Sequence, residues 1–213
     1  MKKSIFILLL LLPFLTFSQV TTSPSLPTAN DEVFITFDAS GTGLDGYTGD
    51  VYAHTGVTVN GVQWSNVIGT WGDNTTQPKL TRDNTNSNLY TLIITPTVYS
   101  FYGVASTETI SEFNFVFRSS DATQQTGNIF IPIYEAGLNI SFTNPTNNSA
   151  FNLNENFTIS AESSINADLE LFIDGNSQLA VANTTTISLP YAFTSTGSHL
   201  VKVTANDGTT VKE

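Results

Sequence analysis

The sequence predicts an all-β protein, arranged as two tandem β-sandwich domains behind a cleaved signal peptide. Three observations carry this prediction. Short runs that alternate apolar and polar residues, or are rich in β-branched and aromatic residues, recur along the chain. Between them stand clusters of Gly, Asn, Asp and Pro of the kind tight turns require. Beyond residue 18, no segment longer than a turn or two has helical periodicity.

Taken in order, Lys2 and Lys3 precede an apolar run from Ile5 to Leu15, followed by Thr16-Phe17-Ser18. A positive start, an apolar middle and small residues before the cut read as a signal peptide over 1–18, cleaved between Ser18 and Gln19. The run is shorter than the ~20 apolar residues a spanning helix needs. The chain is therefore expected to be exported by a bacterium, secreted or at the cell surface, with no membrane insertion after cleavage. It contains no cysteine. Disulfides, thiolate metal sites, a cysteine nucleophile and lipid attachment to an N-terminal Cys are all excluded, so it is not a lipoprotein.

Residues 19–30, with the prolines of TTSPSLPTAN and no periodicity, read as a linker. A first sandwich is expected over 31–136, with strands at Glu32–Phe37, Asp50–Thr55, Leu89–Thr95, Phe113–Arg118 and Asn128–Tyr134. Its turns are signalled by Gly41, Gly43, Gly46 and Gly49, by Asn60-Gly61, by Gly72-Asp73-Asn74, and by 83–88. The texture changes at Gly137. Over 138–213 come LNISF, then Phe157–Ala161, Leu169–Asp174, Gln178–Ala182, Thr185–Leu189 and His199–Ala205, with Asp174-Gly175 as a hairpin turn. This second unit is expected to be an immunoglobulin-like sandwich truncated at its last strand, since 209–213 look like a strand just beginning. The chain is accordingly expected to be the N-terminal part of a longer protein.

Composition narrows the function. Seven Lys and Arg stand against 18 Asp and Glu, a formal net charge of −11 over 213 residues. Phosphate backbones are bound by clustered Lys and Arg, so nucleic acid is not an expected partner. The same sign argument disfavours an anionic membrane surface. Gly41-Thr42-Gly43-Leu44-Asp45-Gly46 matches a dinucleotide fingerprint, but the helix that must follow is missing from YTGDVYAHTG, which leaves a glycine-rich surface loop. There is no G-x-S-x-G elbow and no H-E-x-x-H. The two histidines, His54 and His199, fall in different predicted domains, and His199 reads as a structural side chain in a strand. No pair of acids is singled out as a glycosidase dyad. No catalytic residue is therefore assigned, and no catalytic machinery is visible in this chain.

The aromatic residues are more informative. Trp64 and Trp71 lie in VQWSNVIGTWGDNT, Tyr47 and Tyr52 flank the glycine-rich loop, and Tyr99, Phe101 and Tyr102 cluster in VYSFYG. Sugar rings stack their C–H faces on aromatic planes while Asn, Asp, Gln and backbone groups bond the hydroxyls. Trp64 reads either as a core residue between sheets or as part of such a platform; Trp71, against a Gly-Asp-Asn loop, reads as binding or as packing. Asp38, Asp45 and Asp50 around the glycine loop are either ligands for a calcium ion or solvated turn acids. No other cofactor is expected.

The stretch Gly46–Gly56 (GYTGDVYAHTG), continued through Trp64, Trp71-Gly72, Lys79–Arg82 and Phe113–Arg118 (FNFVFR), resembles a known type. It is similar to the N-terminal accessory β-sandwich of secreted bacterial α-amylase-family glycoside hydrolases, a starch-binding-module-like domain. In such proteins this domain and an immunoglobulin-like domain precede a catalytic (β/α)8 barrel. The resemblance covers about residues 30–136, and 138–213 only generically. It implies α-glucan (starch- or glycogen-type) handling, with Tyr52, Trp64 and Trp71 as ligand-binding residues. The expected partners are thus a polysaccharide and a C-terminal catalytic barrel in cis that would hold any hydrolase activity. Two rival readings stand beside it: a ligand-free spacer or cell-surface adhesion module, and a hydrolase with its own site in the first sandwich.

Overall fold

A computed structural model describes residues 19–146 and 148–213. The signal peptide read over 1–18 lies outside them. The described chain is all-β. Its elements up to residue 132 are β1 (Val20–Ser23), β2 (Val33–Asp38), β3 (Val51–Val59), β4 (Val62–Ser65), β5 (Thr81–Arg82), β6 (Leu89–Ile94), α1 (Val98–Tyr102), β7 (Ile110–Ser119) and β8 (Ile129–Pro132). They form two four-stranded antiparallel sheets, in the orders β1-β2-β6-β5 and β4-β3-β7-β8.

Alternation explains why these two sheets close on each other. In β2 the residues Val33, Ile35 and Phe37 are buried, and in β6 Tyr90, Leu92 and Ile94 are buried, each with a more exposed residue between. β3 and β7 answer with Val51, Ala53 and Val57, and with Phe113, Phe115 and Phe117. The Phe37 and Phe117 rings stack across the gap at 4.3 Å. α1 closes one end: Thr97 caps it by accepting from the Ser100 N–H at 3.1 Å, and Gly103 ends it at φ 64°.

Residues 19–30, read as linker, carry a strand instead. β1 pairs with β2 from Val20↔Phe37 to Ser23↔Phe34. Its sequence gives no alternation because it is an edge strand with one deeply buried side chain, Val20. β4 and β5 also escape a pattern search, being short edge pairings of four and two residues.

The remaining strands are β9 (Ile140–Asn144), β10 (Phe157–Ile173), β11 (Asn176–Tyr191), β12 (Val201–Asn206) and β13 (Val211–Lys212). Here the structure differs from the expected immunoglobulin-like sandwich: all five belong to a single antiparallel sheet. Four expected strands are two long ones, of 17 and 16 residues, in one hairpin. The polar stretch ESSINAD, between two of the expected strands, keeps its backbone in the ladder through register shifts between Glu162 and Leu169. The hairpin turns where expected, at Asp174 (φ 50°) and Gly175 (φ 79°), both left-handed as a type I′ turn requires. β9 and β12 share the other edge of β10, one along each half. Ile159, Ala161, Leu169, Leu171 and Ile173 build a second buried cluster, separate from the first, on one face of β10.

Candidate functional site

β3 and β7 are buried on both faces, which the alternating pattern of a two-layer sandwich does not require. The outward residues of the pair stand in register: Tyr52 opposite Arg118, His54 opposite Val116, and Gly56 opposite Asn114. On β8, Phe130 stands opposite Asn114 and continues the row. The segment 66–80 folds over one side of this face. It is tied to the β3 backbone by the Ile68 N–H to the Thr55 carbonyl (2.8 Å), the Ala53 N–H to the Pro78 carbonyl (2.8 Å) and the Leu80 N–H to the Val51 carbonyl (2.9 Å).

Aromatic side chains converge there. The Trp64 and His54 rings stack at 5.3 Å and 25°, and Trp71 meets His54 edge-on at 4.9 Å and 80°. Phe130 lies 6.2 Å from Trp64 at a steep 67°. Trp64 is half-buried and Trp71 is 45% exposed, so both indoles present surface. Trp64 sits at φ 56°, a left-handed conformation that a bulky aromatic rarely adopts. Two features hold it. The buried Asn114 side chain accepts the Trp64 N–H at 2.7 Å and donates to Thr58 Oγ1 at 3.1 Å. Gly56 lets the next residues approach, since a Cβ there would lie 2.8 Å from the Ser65 carbonyl oxygen. Backbone strain of this kind persists only where the surroundings over-determine it.

Beneath the rings lies a fully buried arginine. Arg118 donates from Nε to Gln77 Oε1 (2.6 Å) and from Nη1 to Asn74 Oδ1 (2.8 Å) and the Ser119 carbonyl (2.9 Å), while Nη2 has no hydrogen-bond partner. Its guanidinium carbon stands 5.2 Å from the Tyr52 ring centre. No carboxylate forms an ion pair with it among the described residues. Gln77, itself buried, bridges onward to His54 Nδ1 at 2.8 Å. Burial and the Arg118 charge both hold His54 below its ordinary value.

Tyr52, Trp64 and Trp71, singled out from the sequence, thus share one outer sheet face, and Trp64 is not a residue of the inter-sheet core. Tyr47, Tyr99, Phe101 and Tyr102 are elsewhere, packed on or into the core. Sequence reasoning missed His54, Gln77, Arg118 and Phe130. The signal for two of them was present: alternation in VYAHTG puts Tyr52 and His54 on one face, and in FNFVFR it puts Asn114, Val116 and Arg118 on one face.

Other sequence candidates are explained locally. Asp45 in the glycine-rich loop accepts from the Gly41 N–H (3.0 Å) and Asn88 Nδ2 (2.8 Å), Asp38 accepts from the Ser40 N–H (2.9 Å), and Asp50 pairs with Lys79 at 2.8 Å. Among the described residues no group of three or more His, Cys, Asp or Glu could hold a metal ion. An open cleft of about 740 Å³ lies in the second unit, lined by Phe142, Phe151, Phe193, His199 and Leu200 among others.

His199 lies just before β12, not within a strand, and stacks on Phe193 at 4.2 Å. Its Nδ1 meets Asp174 Oδ2 at 2.7 Å and its Nε2 meets the Ser195 carbonyl at 3.2 Å. Both partners accept, so only the imidazolium satisfies both. The Asp174 hydrogen bond raises His199 above 6.5, and the reciprocal bond lowers Asp174 below 3.8. A raised histidine stabilises fully below 6.5 and stops doing so as pH rises through its folded value; a lowered aspartate stabilises above 3.8 and stops doing so as pH falls through its folded value. The expected result is a lower thermal midpoint at about pH 8.5 than at about pH 5.5, with Asp174→Asn reducing the difference.

The fold and this face define a class: an all-β protein carrying an aromatic platform, with a buried cation beneath it, on an outer sheet face. No family model and no curated protein matches the chain.

Proposed function

We propose that this chain is a non-catalytic carbohydrate-binding region whose ligand is an α-glucan of the starch or glycogen type. The observation that carries the reading is the convergence of Trp64 and Trp71 on His54 at one outer face, with Trp71 45% exposed and Tyr52 two residues from His54 on the same side of β3. An open aromatic face suits a long polysaccharide, which stacks its rings in passing and need not enter a cavity. The polar complement at hand is His54, whose ring lies beside both indoles. The α-glucan class comes from the resemblance of GYTGDVYAHTG, Trp64, Trp71 and FNFVFR to starch-binding modules. Exported and joined to a catalytic barrel, such a region holds the enzyme on its substrate, because tethering turns each later encounter into an intramolecular one.

Native electrophoresis through gels containing soluble starch tests the proposal. The chain is expected to be retarded, and Trp71→Ala to weaken retardation about 2- to 10-fold, the equivalent of one ring stack worth about 0.5–1.5 kcal/mol. A folded chain that runs unretarded would overturn it in favour of a spacer or a module for another ligand.

A further inference from the structure

The hydrogen bonds under the platform have only one possible direction. A guanidinium has donors and no acceptor, so the Gln77 atom 2.6 Å from Arg118 Nε is the amide oxygen. The Gln77 atom facing His54 is then the amide nitrogen, which only donates, so His54 Nδ1 at 2.8 Å accepts. An imidazole that accepts at Nδ1 is neutral and carries its proton on Nε2. Arg118 and Gln77 are 0% and 4% exposed, so water does not compete for either bond. Nε2 has no hydrogen-bond partner among the described residues, and the ring is stacked with Trp64 and near-perpendicular to Trp71.

We infer that Arg118 and Gln77 are positioning residues of the glycan face, locking His54 as the Nε2–H tautomer so that it offers one uncharged donor beside the two indoles. This rests on the carbohydrate-binding reading and names the chemistry of that site. The ligand must bring an acceptor oxygen, such as a hydroxyl or ring oxygen of a neutral sugar, to the histidine edge. Protonating His54 would break the Gln77 bond and set a second cation near Arg118. Among the charged groups around it, the Arg118 cation favours the neutral form. Arg118 on β7 is the nearest; Asp73 on the covering segment is occupied by Thr75 and Thr76, Lys79 by Asp50, and Glu112 on β7 by Thr58 and Gln63. Burial and Arg118 lower its affinity for protons, in agreement with the geometry.

The chain has two histidines, so long-range proton–nitrogen correlation spectra of the 15N-labelled full chain resolve the question directly. His54 is expected with a protonated Nε2 and a bare Nδ1 at neutral pH, and is expected to take up a second proton only at lower pH than His199. Gln77→Glu replaces the donor by a carboxylate that can only accept, and is expected to move the proton onto Nδ1. A wild-type His54 protonated at Nδ1, or a Gln77→Glu spectrum still showing a bare Nδ1, would overturn the relay. Binding is read with soluble starch gels. His54→Phe keeps a ring between the indoles and removes the donor, and is expected to be retarded about 2- to 10-fold more weakly than wild type, the range of one net hydrogen bond. Equal retardation of wild type and His54→Phe would overturn this inference and leave the α-glucan reading standing. No retardation of wild type would overturn the reading and the inference with it.

Discussion

Trp64→Gly is expected to weaken retardation by soluble starch by roughly 30-fold while leaving the stability of the fold within about 1 kcal/mol of wild type. The two halves of this expectation have different causes. Trp64 is the ring that meets both His54 and Phe130, and a tryptophan at the centre of a recognition surface commonly carries about 2 kcal/mol or more of binding. Its backbone, however, is left-handed at φ 56°, which costs a non-glycine residue about 1–2 kcal/mol. Glycine removes that cost, which offsets much of the lost packing of a half-buried indole. Chemical denaturation beside the starch gel separates the outcomes. A stability loss well above 2 kcal/mol would show that the indole is there for packing, and a fully retarded variant would remove Trp64 from the ligand face.

Phe117→Ala is expected to destabilise the first unit by about 3–5 kcal/mol, a large share of the ~5–15 kcal/mol that holds a typical domain. Phe117 is fully buried, stacked on Phe37 at 4.3 Å across the gap between the sheets and on Phe115 at 5.3 Å along its own strand. Its cross-strand neighbour is Ala53, whose small side chain leaves the ring its space and cannot refill it. Truncation therefore leaves a cavity walled by rigid strands, and the penalty adds to the lost transfer energy. The check is the denaturant midpoint at constant m-value. A shift worth under about 1 kcal/mol would mean that the two sheets do not depend on this contact.

The two variants probe opposite faces of one sheet, and the contrast explains what could be read in advance. Phe113, Phe115 and Phe117 announce a core strand in the sequence because apolar residues at every second position have one structural meaning. Asn114, Val116 and Arg118 fill the alternate positions, and a polar or mixed set there is compatible with solvent, with a covering segment or with a ligand. Only the folded chain decides between these. The expectation of linker over 19–30, and of breaks at 162–168 and 183–184 between separate short strands, failed for a related reason. Edge strands and bulged ladders are held by backbone hydrogen bonds, which leave little trace in side-chain type.

By itself the sequence determined the all-β class, the positions of the central strands, the Asp174-Gly175 turn, the lack of cysteine chemistry and the acidic character of the chain. Each follows from local pattern or from composition, where near neighbours along the chain suffice. The tertiary structure decided the rest. It brought Trp64 on β4, Tyr52 and His54 on β3, Arg118 on β7, Phe130 on β8 and the covering segment with Trp71 and Gln77 to one place. Gln77 and Arg118 are 41 residues apart and meet within hydrogen-bond reach. Such a meeting depends on strand order and register across a whole sheet, and that information is spread over every strand in it and over no single stretch of the chain.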